Sequence, residues 1–270
     1  MKYLKICAFL LCFAFVFVFF KFDAKKDIKN NKVLKIALPN DIRSLDPARA
    51  FEKNTSHVIN MIFEGLMRRS YNDDIEFAVA ESVEISEDKK HYVFHLRDCK
   101  WSDGTPITAY DFELSWKRLL DPNCKPFLET PYYFYPIKNA KLCLLGQVSV
   151  NDVPIDAIDD KTLSVELEHP SFHFLDIVSL PYFFPIPKHF MENDSNWGSQ
   201  DNIVYNGPFK LESWRKKNKI EVKKNPVYWD QSNVYLDGID ISIIENLNTA
   251  YLLYEKKQLD WVGDPFCRLP

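Results

Sequence analysis

The chain has 270 residues, 46% of them hydrophobic and 15% aromatic, which suits one or two folded domains with a sizeable core and excludes a disordered chain. Its formal net charge of -4 gives no sign of the basic face that nucleic-acid binding needs. Seven glycines argue against a Gly-rich phosphate loop.

Residues 1–24 form a targeting element: Lys2 and Lys5 precede an apolar run over 6–20. The run is about 15 residues, short of the roughly 20 that span a bilayer. Leu11 before Cys12 and Ile6 before Cys7 do not suit lipidation, and Phe22 two positions before Ala24 does not suit cleavage. An exported, periplasmic protein is expected, with the segment either removed or kept as an inner-membrane anchor over residues 6–20. Residues 25–32 are a polar tether. Four cysteines lie beyond the targeting element, Cys99, Cys124, Cys143 and Cys267, with no zinc-type spacing. They allow two disulfides in three connectivities, or structural thiols.

Residues 33–38 (VLKIAL) read as a strand, and Ser44-Leu45-Asp46-Pro47 as a turn. A helix is expected over about 55–69, carrying Val58, Ile59, Ile62, Phe63 and Leu66 on one face. The stretch 81–116 organises the rest. Residues 92–97 alternate as a strand, Ser102-Asp103-Gly104 supplies turn chemistry, and Thr108 caps a helix with Asp111 at the capping-box position. Phe112, Trp116, Leu119 and Leu120 share that helix's inner face.

The aromatic patch Tyr132-Tyr133-Phe134-Tyr135 reads as core, with a stacking surface as the rival. A turn at Asp159-Asp160 leads to a strand through Leu167. Further strands are expected over 219–223 and 239–244, and a helix over 247–257. The basic run from Arg215 through Lys217 reads as a solvated strand edge or turn.

Catalytic chemistry finds little support. Asp103 and Asp111 are a turn residue and a cap rather than paired carboxylates, and GxSxG, HExxH and P-loop motifs are absent from the sequence. His91 with His95 and His169 with His173 lack the Cys or carboxylate neighbours of a metal site. The protein is read as a non-enzyme with no cofactor.

YVFHLRDCKWSDGTPITAYDFELSWKRLLDP, residues 92–122, resembles the signature region of the bacterial extracellular solute-binding proteins of oligopeptide, dipeptide and nickel ABC importers, the oligopeptide-binding branch most of all. Colinear elements extend the likeness: SLDP at Ser44, FEGL at Phe63, NG-x-F-x-L at Asn206, NPxYWD at Asn225, and a G-x-[LI]-D-like element at Gln258, where Gln replaces the usual Gly. It covers about residues 33–265, corresponding to the N-terminal half of proteins roughly twice this length.

The resemblance implies a mixed α/β, periplasmic-binding-protein-like lobe formed discontinuously from 33–63 and 185–264. A second domain, 64–184, is inserted, and the lobe that closes over ligand is lacking; 265–270 would begin the crossover toward it. It implies peptides as ligands, held by strand-like backbone bonds in a hinged cleft, and an ABC permease as membrane partner. By position, ligand-facing residues fall on Phe51, Glu52, Lys53, Phe127, Trp261, Gly263 and Asp264. Structural roles are the rival for each. Two other readings accompany transport: a remnant that folds without enclosing cargo, and an exported interaction protein that pairs with a separately encoded C-terminal half.

Overall fold

A computed structural model of the chain describes residues 32–50, 52–123, 132–191 and 203–266. The targeting element, Phe51, Phe127, Cys124 and Cys267 lie outside those residues. Among the described residues no helix is long and apolar enough to cross a membrane.

Two four-stranded sheets and a small hairpin make the framework. In the first sheet β1 (Val33–Leu38) lies at one edge, paired in parallel with β10 (Gly238–Ile243). Antiparallel pairings then add β9 (Lys219–Lys224) and β8 (Phe209–Arg215). Chain entering at residue 33 is thereby tied to chain arriving more than 200 residues later. Alternation in VLKIAL sends Ile36 and Leu38 into the main core and Ala37 to the opposite face. There Ala37 meets Ala250 of the helix α3 (Leu247–Glu255) and Leu259.

The second sheet is wholly antiparallel, in the order β4 (Ala80–Ile85), β5 (His91–Leu96), β7 (Thr162–Glu166), β6 (Ile155–Asp159). Tyr92, Phe94 and Leu96 of β5 and Leu163 and Val165 of β7 face inward, which is the period-2 pattern of a half-buried sheet. The helix α2 (Ala109–Leu120) covers this face with Phe112, Trp116, Leu119 and Leu120, all buried. Each large side chain so buried contributes about 1.5–3 kcal/mol. Thr108 and Asp111 form the expected capping box, the Asp111 carboxylate accepting the Thr108 amide at 2.9 Å. Buried polar groups of α2 are answered by the returning chain: Trp116 Nε1 donates to the Phe183 carbonyl at 2.9 Å and Ser115 Oγ to that of Phe184 at 2.7 Å.

The first helix differs from expectation. α1 runs Lys53–Ile62 and stops there, and Phe63 is already extended. The reason lies in Asn206, whose side-chain amide makes a two-point bond to the Glu64 backbone: Oδ1 accepts its N–H at 3.0 Å and Nδ2 donates to its C=O at 2.8 Å. Backbone groups captured this way are lost to the helix ladder. Residues 65 and 66 then pair with 78–80, and Met67–Arg69 forms β2 of a hairpin with β3 (Ile75–Phe77).

Side chains of three motifs converge at this crossover. Glu64 is 5% exposed, and its carboxylate accepts from Tyr228 Oη at 2.6 Å, Trp229 Nε1 at 2.6 Å and Arg68 at 3.2 Å. Arg68 also grips Asp230 through both terminal nitrogens, at 3.1 Å each. Arg97, at the end of β5, lies 3.7 Å above the Trp229 ring. Burial raises the Glu64 carboxyl's pKa, against which the Tyr228, Trp229 and Arg68 contacts work.

Gly207 lies where two backbones meet. A Cβ there would fall 2.5 Å from the carbonyl carbon of Ile62 and 2.6 Å from the nitrogen of Phe63. Close backbone approach therefore requires glycine, and Gly207 N–H bonds the Ile62 carbonyl at 3.0 Å.

Cys99 and Cys143 are buried free thiols, and burial pushes the Cys99 thiol up to about 12. The basic run closes the β8–β9 hairpin at a turn over 216–218. Replacing Gly207 by Ala is expected to destabilise the fold by about 1–3 kcal/mol, because the contacted atoms are backbone and cannot yield. Urea unfolding checks this, and an unchanged midpoint contradicts the close approach.

Candidate functional site

The expected ligand-facing residues that the structure describes come from two stretches 200 residues apart, and they meet. Upstream, the SLDP turn is held by Asp46, which is buried. Its carboxylate accepts the Ala48 amide at 3.0 Å and a two-pronged contact from Arg118 of α2, at 2.8 and 3.3 Å. The single-turn helix Pro47–Arg49 that follows leads directly toward residues 51–53. Glu52 is the N-cap residue of α1 and pairs with Arg43 at 2.7 Å.

Downstream, the chain leaves α3 and fastens to the free edge of β1. The Asp260 amide donates to the Lys35 carbonyl at 2.7 Å, and the Lys35 amide donates to Asp260 Oδ2 at 2.8 Å. The left-handed residue at this helix end is Lys257 (φ 58°), so the conformation a glycine would serve falls one position before Gln258. Trp261 is half-exposed, and its Nε1 donates to the Asp264 carbonyl at 3.2 Å across the turn that Gly263 makes with φ 133°. Gly263's backbone therefore takes a conformation that side-chain-bearing residues disfavour.

Lys53 Nζ reaches Asp264 Oδ1 at 3.4 Å. Both side chains are exposed, so the pair contributes at most about 1 kcal/mol and serves orientation more than stability. One turn further along α1, His57 Nε2 lies 3.1 Å from the Pro265 carbonyl, with the imidazole edge-on to Phe266 at 5.3 Å. Sequence reasoning missed His57. Its signal was available only as position i+4 from Lys53 on one helix face.

Asp111, Asp103 and His95, which the sequence also singled out, have structural partners. Asp111 Oδ2 accepts from Thr108 and, at 3.3 Å, from Trp101 Nε1, while Oδ1 accepts the Lys188 amide at 2.8 Å. Burial raises its pKa against those bonds. Burial also works against ionisation of Asp103, but bonds from Thr105 and His189 outweigh it and hold that carboxyl below the usual range. His95 sits 2.9 Å from Glu84 on the outer face of the second sheet. Among the described residues no group of His, Cys, Asp and Glu is arranged to hold a metal ion. The start of α1 and the 261–266 turn together leave charged and aromatic side chains exposed, Lys53, Asp264 and Trp261 among them.

Comparison with known proteins places this architecture. Residues 74–267 match the sequence model of the bacterial extracellular solute-binding proteins, family 5 Middle, and the chain belongs to that family. It is 38% identical over 251 residues to the oligopeptide-binding protein OppA of Bacillus subtilis, covering 92% of this chain and 46% of that one. It is 36% identical to the dipeptide-binding protein DppE of the same organism, over 87% and 44% of the two chains. Among solved structures, peptide-bound Listeria monocytogenes OppA superposes with a TM-score of 0.80 at 32% identity, over 86% of this chain and 46% of that one. The substrate-binding domain of a Bacillus anthracis oligopeptide ABC transporter gives 0.79 at 36% identity, over 85% and 44%. The mixed α/β fold is thus that of periplasmic-binding-protein-like relatives, of whose length the chain spans somewhat under half.

Burial holds the pKa of His57 below its usual value near 6.5, with Lys53 acting in the same direction and the Pro265 bond against both. The neutral ring is the folded form, so its contribution is full above about 6.5 and is lost as pH falls through the lower folded value. An NMR titration of the His57 ring is expected to show a midpoint below about 6.5. A midpoint at or above that value contradicts this packing of His57.

Proposed function

We propose that the chain is the peptide-binding component of an ABC importer, an exported protein that presents oligopeptides to a membrane permease and carries out no chemistry on them. The observation that carries this reading is the meeting of Glu52 and Lys53 at the start of α1 with Trp261, Gly263 and Asp264, through the Lys53–Asp264 contact. Both are stretches that the family resemblance assigns to ligand. The similar oligopeptide- and dipeptide-binding proteins support peptides as the ligand class.

In this reading residues 33–63 and 185–264 act as one lobe and 64–184 as a domain inserted into it. The pairing of β1 with β10 and the restriction of the second sheet to residues 80–166 support that division. Phe51 and Phe127 complete the proposed ligand-facing set. A peptide lying there would bond through its backbone, with water filling the space around its side chains, so that many sequences are accepted.

A second reading draws on α3, which leaves Tyr251, Leu252 and Tyr254 exposed on one helix. Exposed large side chains of this kind suit a covering polypeptide, here a C-terminal half of the same family. Native mass spectrometry of the protein, purified without denaturant from an exporting host, tests the first reading. Adducts at peptide masses are expected. A folded protein that stays free of adducts after incubation with mixed peptides contradicts autonomous peptide binding and favours the second.

A further inference from the structure

The aromatic patch divides where the sequence left two readings open. Phe134 is fully buried and stacks on the buried Phe183, ring centroids 4.2 Å apart and 16° from parallel. Trp116 of α2 meets both rings edge-on, at 6.3 and 4.9 Å. One residue back on each segment, Tyr133 and Tyr182 repeat the pairing at 5.6 Å and 23°. Tyr132 then lies on Tyr133 at 4.3 Å and is 59% exposed. Segments 132–134 and 181–183 thus run side by side as paired rings, from the core beneath α2 out to solvent. Tyr135 belongs elsewhere, its ring 5.8 Å from the Lys141 ammonium.

Two features make the outer rings more than a lid on the core. Tyr132 leaves most of its surface in water although it sits against another ring, so it shields little. The turn Pro181–Phe183 that carries Tyr182 packs on the turn Pro47–Arg49, and the chain passes from there directly to residues 51–53. Tyr182 is thus carried by an element that packs on the turn preceding the proposed ligand-facing stretch in sequence. The inner end of the paired rings is fixed in the core, so little side-chain freedom remains to be lost when a ring docks at their outer end. Tyrosine suits such a place, offering a rigid apolar face with a hydroxyl that stays wet.

We propose that Tyr132, Tyr133 and Tyr182 form a subsite that takes an aromatic side chain of the bound peptide, stacked or edge-on against Tyr132. The proposal rests on the peptide-binding reading above and adds a preference to it. Ring–ring contacts of this kind are worth about 0.5–1.5 kcal/mol beyond area burial, a gain of roughly two- to tenfold in affinity.

The test is calorimetric titration of the full chain with pentaalanine and with five variants of it, each carrying one phenylalanine at a different position. At least one phenylalanine peptide is expected to bind about two- to tenfold more tightly than pentaalanine. Tyr132→Ala is expected to erase that difference, and Tyr132→Phe to keep it. Equal affinity for all six peptides, or a preference that survives Tyr132→Ala, overturns the subsite and leaves peptide binding standing. No binding of any of the six overturns both.

Discussion

Glu64 brings a carboxylate into the interior at the point where the chain passes from α1 toward the second sheet, and the rest of the fold is arranged around keeping it there. A buried carboxylate without partners costs several kcal/mol, and in this protein the partners come from elsewhere in the sequence. Tyr228 and Trp229 reach it from the loop after β9, and Arg68 from the adjoining hairpin. The Glu64 backbone is meanwhile claimed by Asn206. Three stretches that look like separate motifs in the sequence are therefore one fastening, and Gly207 is small because that fastening draws two backbones together.

What the fastening positions is the exposed face at the start of α1. With α1 ended at Ile62 and its core face packed through Val58, Ile59 and Ile62, the helix presents Lys53 and His57 to the 261–266 turn. Asp260 holds that turn from the other side by its two bonds to β1. Arg118 and Asp46 tie the neighbouring SLDP turn to α2. The charged pairs at the surface are individually weak, so the geometry of the site depends on the buried ones.

Much of this was legible where local signals agree. β1, β9, β10 and α2 followed from alternation, helical spacing and a capping box, all properties of neighbouring residues. The overrun of α1 to residue 69 was an error of the same method: the apolar spacing continues through Phe63 and Leu66, while the groups that end the helix lie 142 residues away in Asn206. The strands β4, β6 and β8 went unread, and β4 and β8 carry exposed charged residues where a clean apolar alternation would have marked them. At the site, Lys53 and Asp264 could be named from the family likeness, but their contact spans 211 residues and has no local signature. The same holds for Tyr182 against Tyr133. One sequence stretch supplied the patch, and only the fold supplied its continuation.

The claim that Glu64 fastens both sheets into one unit is tested most directly by hydrogen exchange, read by mass spectrometry, on the protein and on its Glu64→Ala variant. The variant is expected to lose protection together in β4 and β5 of the second sheet and in β8, β9 and β10 of the first. Increased exchange confined to the loop around residues 225–230, with both sheets as protected as before, would contradict it.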